Sequence, residues 1–196
     1  MARLSKNKAL IIILSAPSGG GKTSIAKKLL EQDKKLSLSI SVTTREPRPG
    51  EIDGVHYFFT AKSAFNKMLQ DDLFLEHAEI YGNYYGTPIN VVTDKLSQDM
   101  DVLFDIDSQG AHQIIDKAQD QVISIFIKPP NLDILEKRLR SRAQDSDDVI
   151  ARRLTLAQKE MAQAKHYDYI VVNDDFDQSV TEIQDIITSE RRNERK

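Results

Sequence analysis

Three consecutive glycines, Gly19, Gly20 and Gly21, run directly into Lys22 and Thr23. A lysine and a hydroxyl placed there suit a polyphosphate and its counter-ion. The ammonium would reach the β- and γ-phosphates, and the Thr23 hydroxyl would sit on Mg²⁺. The turn starts at Ser15, Ala16, Pro17 and Ser18 and ends at Ser24. Its successive backbone N–H groups can wrap a phosphate, because glycine lets the chain approach without a Cβ in the way. The stretch departs from G-x-x-x-x-G-K-[ST] at its first position, Ala16. Pro17 pushes residue 16 to extended, negative-φ conformations, so glycine's freedom is not needed there and alanine adds only a methyl. Read singly, Thr23 or Ser24 is a helix-start residue and Lys22 a solvated lysine. Their shared register with the glycines favours a phosphate loop.

A second group begins at Arg45 and Arg48, separated by the proline-stiffened turn Glu46-Pro47-Arg48-Pro49-Gly50, with Tyr57 following. Two guanidiniums on a rigid loop suit a phosphate or a carboxylate, since each fork donates two parallel hydrogen bonds. Glu76, closing the apolar run Leu73-Phe74-Leu75, can be a desolvated acceptor, and Tyr85 sits in Gly82-Asn83-Tyr84-Tyr85-Gly86-Thr87 with a hydroxyl to offer. The plain alternatives are an arginine pair that faces solvent or bridges acids, and a Tyr-Tyr pair that packs. Asp105 and Asp107 fall at the C-terminal end of an expected core strand, the edge where open α/β sheets bind ligands. Asp107 or Ser108 can instead cap the next helix. His56, His77, His112 and His166 lie in different elements with no metal-ligand spacing and read as structural or exposed.

The elements that must position these residues follow from the apolar runs. Leu10–Leu14, Leu38–Val42, Val102–Ile106, Val122–Ile127 and Tyr169–Val172 read as strands. Helices are expected near Lys22–Gln32, Ala61–Gln70, Pro88–Leu96, Gly110–Ala118, Leu132–Arg140, Asp147–Ala164 and Ser179–Ser189. That alternation indicates an α/β fold with a mainly parallel five-stranded sheet. Two segments break the rhythm. Residues 39–87, rich in Thr, Arg, Pro, Gly and Tyr with short aromatic strands such as His56-Tyr57-Phe58-Phe59, read as an inserted subdomain. Residues 131–149, charged and weakly apolar, read as a mobile lid. The tail from Glu190 reads as a frayed, solvated end.

Composition sets outer bounds. The 196 residues, 40% hydrophobic and 29% charged, fit one globular domain, and a net charge of −3 argues against general nucleic-acid binding. With no cysteine, disulfides and thiolate chemistry are excluded. No apolar run approaches the roughly 18 residues of a membrane span. The basic start, Met1–Lys8, imitates a signal peptide but runs straight into the phosphate loop, which points to a cytoplasmic protein. The oligomeric state is left open.

Taken together, the chain resembles a guanylate kinase of the nucleoside-monophosphate kinase group. The resemblance is carried by Ser15–Ser24, Ser41–Tyr57, Gly82–Thr87, Leu103–Gly110 and Ile170–Asp175, in the family's order and across nearly the whole chain. The phosphate loop is generic. Thr43-Thr44-Arg45-Glu46-Pro47-Arg48-Pro49-Gly50-Glu51 and Gly82-Asn83-Tyr84-Tyr85-Gly86 are far more diagnostic.

The resemblance implies a P-loop three-layer fold with a core (1–38, 88–130, 150–196), a GMP-binding insert (39–87) and a lid (131–149). It implies Mg²⁺-dependent transfer of the γ-phosphoryl of ATP to GMP, with dGMP as a further acceptor. ATP would lie on Ser15–Ser24 with Asn173 near the adenine, and Thr23 would meet Mg²⁺, with Asp105 acting through water. Arg45, Arg48, Tyr57 and Tyr85 would hold the GMP phosphate. Glu76 would read guanine with Ser41, Thr87 and Asp107; Thr87 stands where the family often has serine and keeps the hydroxyl. Lys22, Arg45, Arg138, Arg142 and Arg153 would stabilise the transferring phosphoryl group, while Arg140 and Arg152 match no such position. One rival is a kinase of the same architecture for another monophosphate. A second is a binding module for phosphorylated proteins, which typically lacks the phosphate loop kept here by Gly21, Lys22 and Thr23.

Overall fold

The computed structural model describes residues 9–80, 82–118, 121–141 and 146–193. Met1–Lys8, Arg142 and Glu194–Lys196, named above, lie outside the described residues. The centre of the fold is β1 (Ile11–Ser15), whose five residues are all buried. A strand apolar on both faces needs cover on both sides, and β1 has it. Ile12 and Leu14 pack with Ile25 and Leu29 of α1 (Lys22–Gln32) and with Val180, Ile183 and Ile187 of α7 (Phe176–Asn193). Ile11 and Ile13 face Val92 and Leu96 of α3 (Ile89–Ser97) and Ala111 and Ile114 of α4 (Ser108–Lys117). Together with β2 (Leu36–Leu38), β7 (Asp101–Asp105), β8 (Val122–Lys128) and β9 (Tyr169–Val172), β1 forms an all-parallel sheet of order β2-β7-β1-β8-β9. The phosphate loop leaves the C-terminal end of its central strand.

A second sheet, of order β4-β3-β6-β5, is built from β3 (Val42–Thr43), β4 (Phe58–Phe59), β5 (Phe74–Ile80) and β6 (Asn83–Pro88). β3 runs parallel to β4, and the other two pairings are antiparallel. Helix α2 (Lys62–Gln70) closes it through Phe65, which stacks on Phe74 with ring centroids 4.6 Å apart and on Tyr84 at 5.5 Å.

Three expectations need correction. The apolar run Leu38–Val42 is not one strand. Leu36–Leu38 pairs with β7 in the core sheet and Val42–Thr43 with β4 and β6 in the second. The apolar/polar alternation of Leu36–Val42 runs on through the break, so it does not mark where one sheet ends and the other begins. The segment 131–149 carries more apolar packing than expected: α5 (Leu132–Ser141) and α6 (Asp147–Ala162) share a cluster of Leu135, Leu139, Ile150 and Ala157. The tail is not frayed at Glu190. Helix α7 runs on to Asn193, and Arg191 bonds Asp101 at 2.6 Å and Asp33 at 2.7 Å. Among the described residues, no helix is long and apolar enough to cross a membrane.

Candidate active site

The phosphate loop is held from within and from behind. Gly20 N–H donates to Pro17 O at 2.8 Å, and Ile25 N–H to Gly21 O at 3.1 Å as α1 begins. Asn173, just past β9 and 4% exposed, donates its side-chain amide to Gly20 O at 2.8 Å. Gly21 has φ +96°, and a Cβ there would run into that amide, so glycine is required twice over. Ala16 causes no such strain: the non-glycine residues of positive φ among those described are Asp72 and Asp99.

The loop encloses a cavity of about 330 Å³ lined by residues 16–24 together with Asp107 and Glu160. Lys22 Nζ bridges Asp105 Oδ1 at 2.6 Å and Ile106 O at 2.8 Å, across the end of β7. A larger cavity, about 680 Å³ against α7, is lined by Asp177, Glu182 and Asp185, which would repel a polyphosphate.

Beside the loop, Arg138 on α5 donates to Asn173 O at 2.8 Å through Nη2. Its buried Nη1 has no hydrogen-bond partner among the described residues. Arg138, Gly19, Gly21, Ser24 and Asn173 line a further cavity of about 290 Å³. Arg153 lies on α6 two turns before Glu160, and so on the same face.

The second sheet gathers the Arg–Tyr group. Arg45 bonds Glu51 at 2.8 Å and lies over the Tyr57 ring, 5.5 Å from its centroid. Tyr57 in turn meets Tyr85 edge-on at 5.9 Å. Glu51 also accepts from Arg48 N–H at 2.7 Å. The Arg45 bond, then the Arg48 N–H, hold the Glu51 carboxyl down at about 2. Arg48 occupies the same turn with its side chain exposed.

Deeper in, Ser41 Oγ lies 3.1 Å from Thr87 Oγ1, which donates to Glu76 Oε1 at 2.6 Å. Glu76 is 3% exposed, and its carboxyl is pushed up to about 7 by burial, opposed by the Thr87 hydroxyl and reinforced by the Asp107 charge. Asp107 therefore stands between the two halves, lining the loop cavity while its charge reaches Glu76. It also caps α4 by accepting from Gly110 N–H at 3.0 Å.

Two carboxylates were given no role in the sequence reading, although Glu51 ends the diagnostic Thr43–Glu51 motif. Glu51 was findable as the acid three residues beyond Arg48 in the same stiff turn. Glu160 was not, since it reaches the loop from a helix near the other end of the chain. Burial raises its pKa, Ser18 N–H opposing and the Asp107 charge adding.

A family model described as guanylate kinase matches residues 8–190. The guanylate kinase of Rickettsia bellii is 54% identical over 189 residues, covering 96% of this chain and 98% of the relative. That of Rhodospirillum rubrum is 47% identical over 188 residues, covering 96% and 86%. The crystal structure of guanylate kinase from Anaplasma phagocytophilum matches with a TM-score of 0.76 at 34% identity, covering 96% of this chain and 88% of that one.

Proposed function

The chain belongs to the guanylate kinase family and transfers the γ-phosphoryl of ATP to GMP, and we propose how its residues divide that work. The core (1–38, 88–130, 150–196) takes ATP on Ser15–Ser24, with Asn173 toward the adenine. The insert (39–87) takes GMP, and the segment 131–149 closes over both to exclude water.

The observation that carries this reading is the chain Ser41–Thr87–Glu76, half-buried at Ser41 and buried at Thr87 and Glu76. Guanine presents N1–H and its exocyclic amine side by side, so an ionised Glu76 accepts both while a Ser41 or Thr87 hydroxyl donates to O6. Adenine would bring a lone pair to the carboxylate, and a buried polar mismatch of that kind discriminates strongly. Arg45, Arg48, Tyr57 and Tyr85 hold the GMP phosphate, with Glu51 fixing the first of them. These groups reach base and phosphate and none is assigned to the ribose 2′-hydroxyl, so we extend the acceptors to dGMP. We assign the reaction to cytoplasmic purine nucleotide metabolism.

In the transfer, an anionic oxygen of the GMP phosphate attacks Pγ, the bond from Pγ to the β–γ bridging oxygen breaks, and ADP leaves. No proton has to move, so no protein base is needed. Lys22, Arg138, Arg142 and Arg153, with Arg45 from the acceptor side, offset the charge spread over the equatorial oxygens. The unfilled Nη1 of Arg138 beside the loop supports its place in that set. Lys22 has to exchange its Asp105 partner for phosphate. The residues also fit Mg²⁺, which keeps several waters and needs few protein oxygens: the exposed Thr23 hydroxyl, with Asp105 through water. When bound, the ion neutralises phosphate charge. Glu76→Gln is expected to lower kcat/KM for GMP by roughly 100-fold or more while KM for ATP holds, read by coupled ADP release. Equal losses for GMP and ATP would refute the assignment.

A further inference from the structure

β5 is the edge of the second sheet, and it carries Glu76. Its pairing with β6 shifts register between Phe74 and Glu76, so Leu75 is the extra residue of a bulge. Its two neighbouring residues point to opposite faces, as residues of a strand do, and so into two cores. Phe74 joins the insert's own cluster with Val42 and Phe65, whereas Leu75 is buried in the core cluster with Ile11, Phe104 and Ile114. Bulges beside active sites re-aim the side chain that follows, and here that side chain is Glu76.

The free edge of β5 is covered by one face of α4. Lys117 Nζ donates to the bulge carbonyl, Leu75 O, at 2.7 Å. The Gln113 amide makes a two-way bond with His77, donating to its O at 2.7 Å and accepting from its N–H at 3.1 Å, as a neighbouring strand would. Gly110 completes the face: a Cβ there would sit 2.7 Å from Glu76 Oε2. Residues 110, 113 and 117 recur at helical spacing, so all three face β5 together. The backbone on each side of Glu76 is thus pinned by a side chain from the core.

We propose that Gln113 and Lys117 are positioning residues for guanine selection. They hold the Leu75 bulge and His77 against α4, and so set where the Glu76 carboxylate stands. The base-reading group is then referenced to the helix that Asp107 caps rather than to its own subdomain. The inference rests on the reading of Glu76 as the guanine acceptor.

The test is steady-state kinetics on the full chain carrying Gln113→Ala, Lys117→Ala, Glu76→Gln and the Gln113/Glu76 double change. Gln113→Ala should raise KM for GMP about tenfold, from two lost hydrogen bonds, and leave KM for ATP unchanged. Lys117→Ala should act in the same direction. Gln113→Glu, which keeps the acceptor for His77 N–H but not the donor, should fall between. In the Glu76→Gln background, Gln113→Ala should add less than about twofold, because its effect runs through the carboxylate. Unchanged KM for GMP in Gln113→Ala, or full additivity in the double variant, would overturn the proposal while leaving Glu76's role intact. Glu76→Gln with undiminished GMP use would instead overturn the reading beneath it. Should Gln113→Ala not fold, Gln113→Glu and Lys117→Met carry the same comparison.

Discussion

Glu76 is a carboxylate that burial keeps partly protonated near neutrality. Its pKa of about 7 in the free protein follows from burial first, with the Thr87 hydroxyl pulling against it and the Asp107 charge pushing with it. With Glu76 as the proposed acceptor of guanine's two N–H groups, the ionised form is the one that binds, and kcat/KM for GMP should rise with pH through about 7. The substrate phosphate ionises separately, near 6. An initial-rate profile at subsaturating GMP checks this: Glu76→Gln should keep the lower inflection and lose the upper one. The same group has a thermodynamic signature. Between the ordinary value of 4.5 and about 7, the folded chain holds a proton that the unfolded chain has released, so its contribution to stability falls as pH rises through that window. The Arg45–Glu51 pair works the other way. Glu51 is held charged down to about 2, so Arg45 keeps its orienting partner wherever the enzyme works.

At the scale of elements, the sheet's two ends do different jobs. The C-terminal ends of β1 and β7 carry the phosphate loop, Asp105 and Asp107, while the opposite end is locked by Arg191. Its Nε meets Asp101 Oδ2 at 2.6 Å, and Asp101 Oδ1 accepts Leu10 N–H at 2.8 Å, on a side chain with no exposure. The other fork of the guanidinium reaches Asp33 at the end of α1. One side chain therefore ties α7, α1 and the starts of β1 and β7 together. Arg191→Met would leave Asp101 buried without its counter-charge, at a cost of about 3 kcal/mol. Thermal unfolding should show Tm lower by roughly 6–12 °C. Because the lock lies at the far end of the sheet, kcat/KM for GMP, measured below the transition, should be unchanged.

At the scale of the whole molecule, what could be read from the sequence was what lies close together in it. The phosphate loop is ten adjacent residues whose glycines, lysine and hydroxyl act together, and the Arg45–Arg48 turn is equally local. Across the chain, the family resemblance alone grouped Ser41, Glu76, Thr87 and Asp107, and other long-range contacts left no local pattern. Gln113 and His77 stand 36 residues apart, Asn173 and Gly20 stand 153 apart, and neither pair has a pattern that betrays it. The split of residues 38–42 between two sheets was hidden for a related reason, because an apolar/polar alternation does not name the strand that each residue pairs with. Arg191 looked like one more solvated charge until the fold brought a buried aspartate to it.

Residue, element and molecule converge on the proposed division in which the insert selects guanine and GMP receives phosphate from the ATP held at the loop. The most direct measurement is ADP release with ATP and Mg²⁺ across a panel of GMP, dGMP, AMP and UMP. Turnover should depend on GMP, respond equally or less to dGMP, and stay at background with AMP or UMP. Turnover with AMP that matches GMP, or no GMP-dependent release at all, would contradict that division.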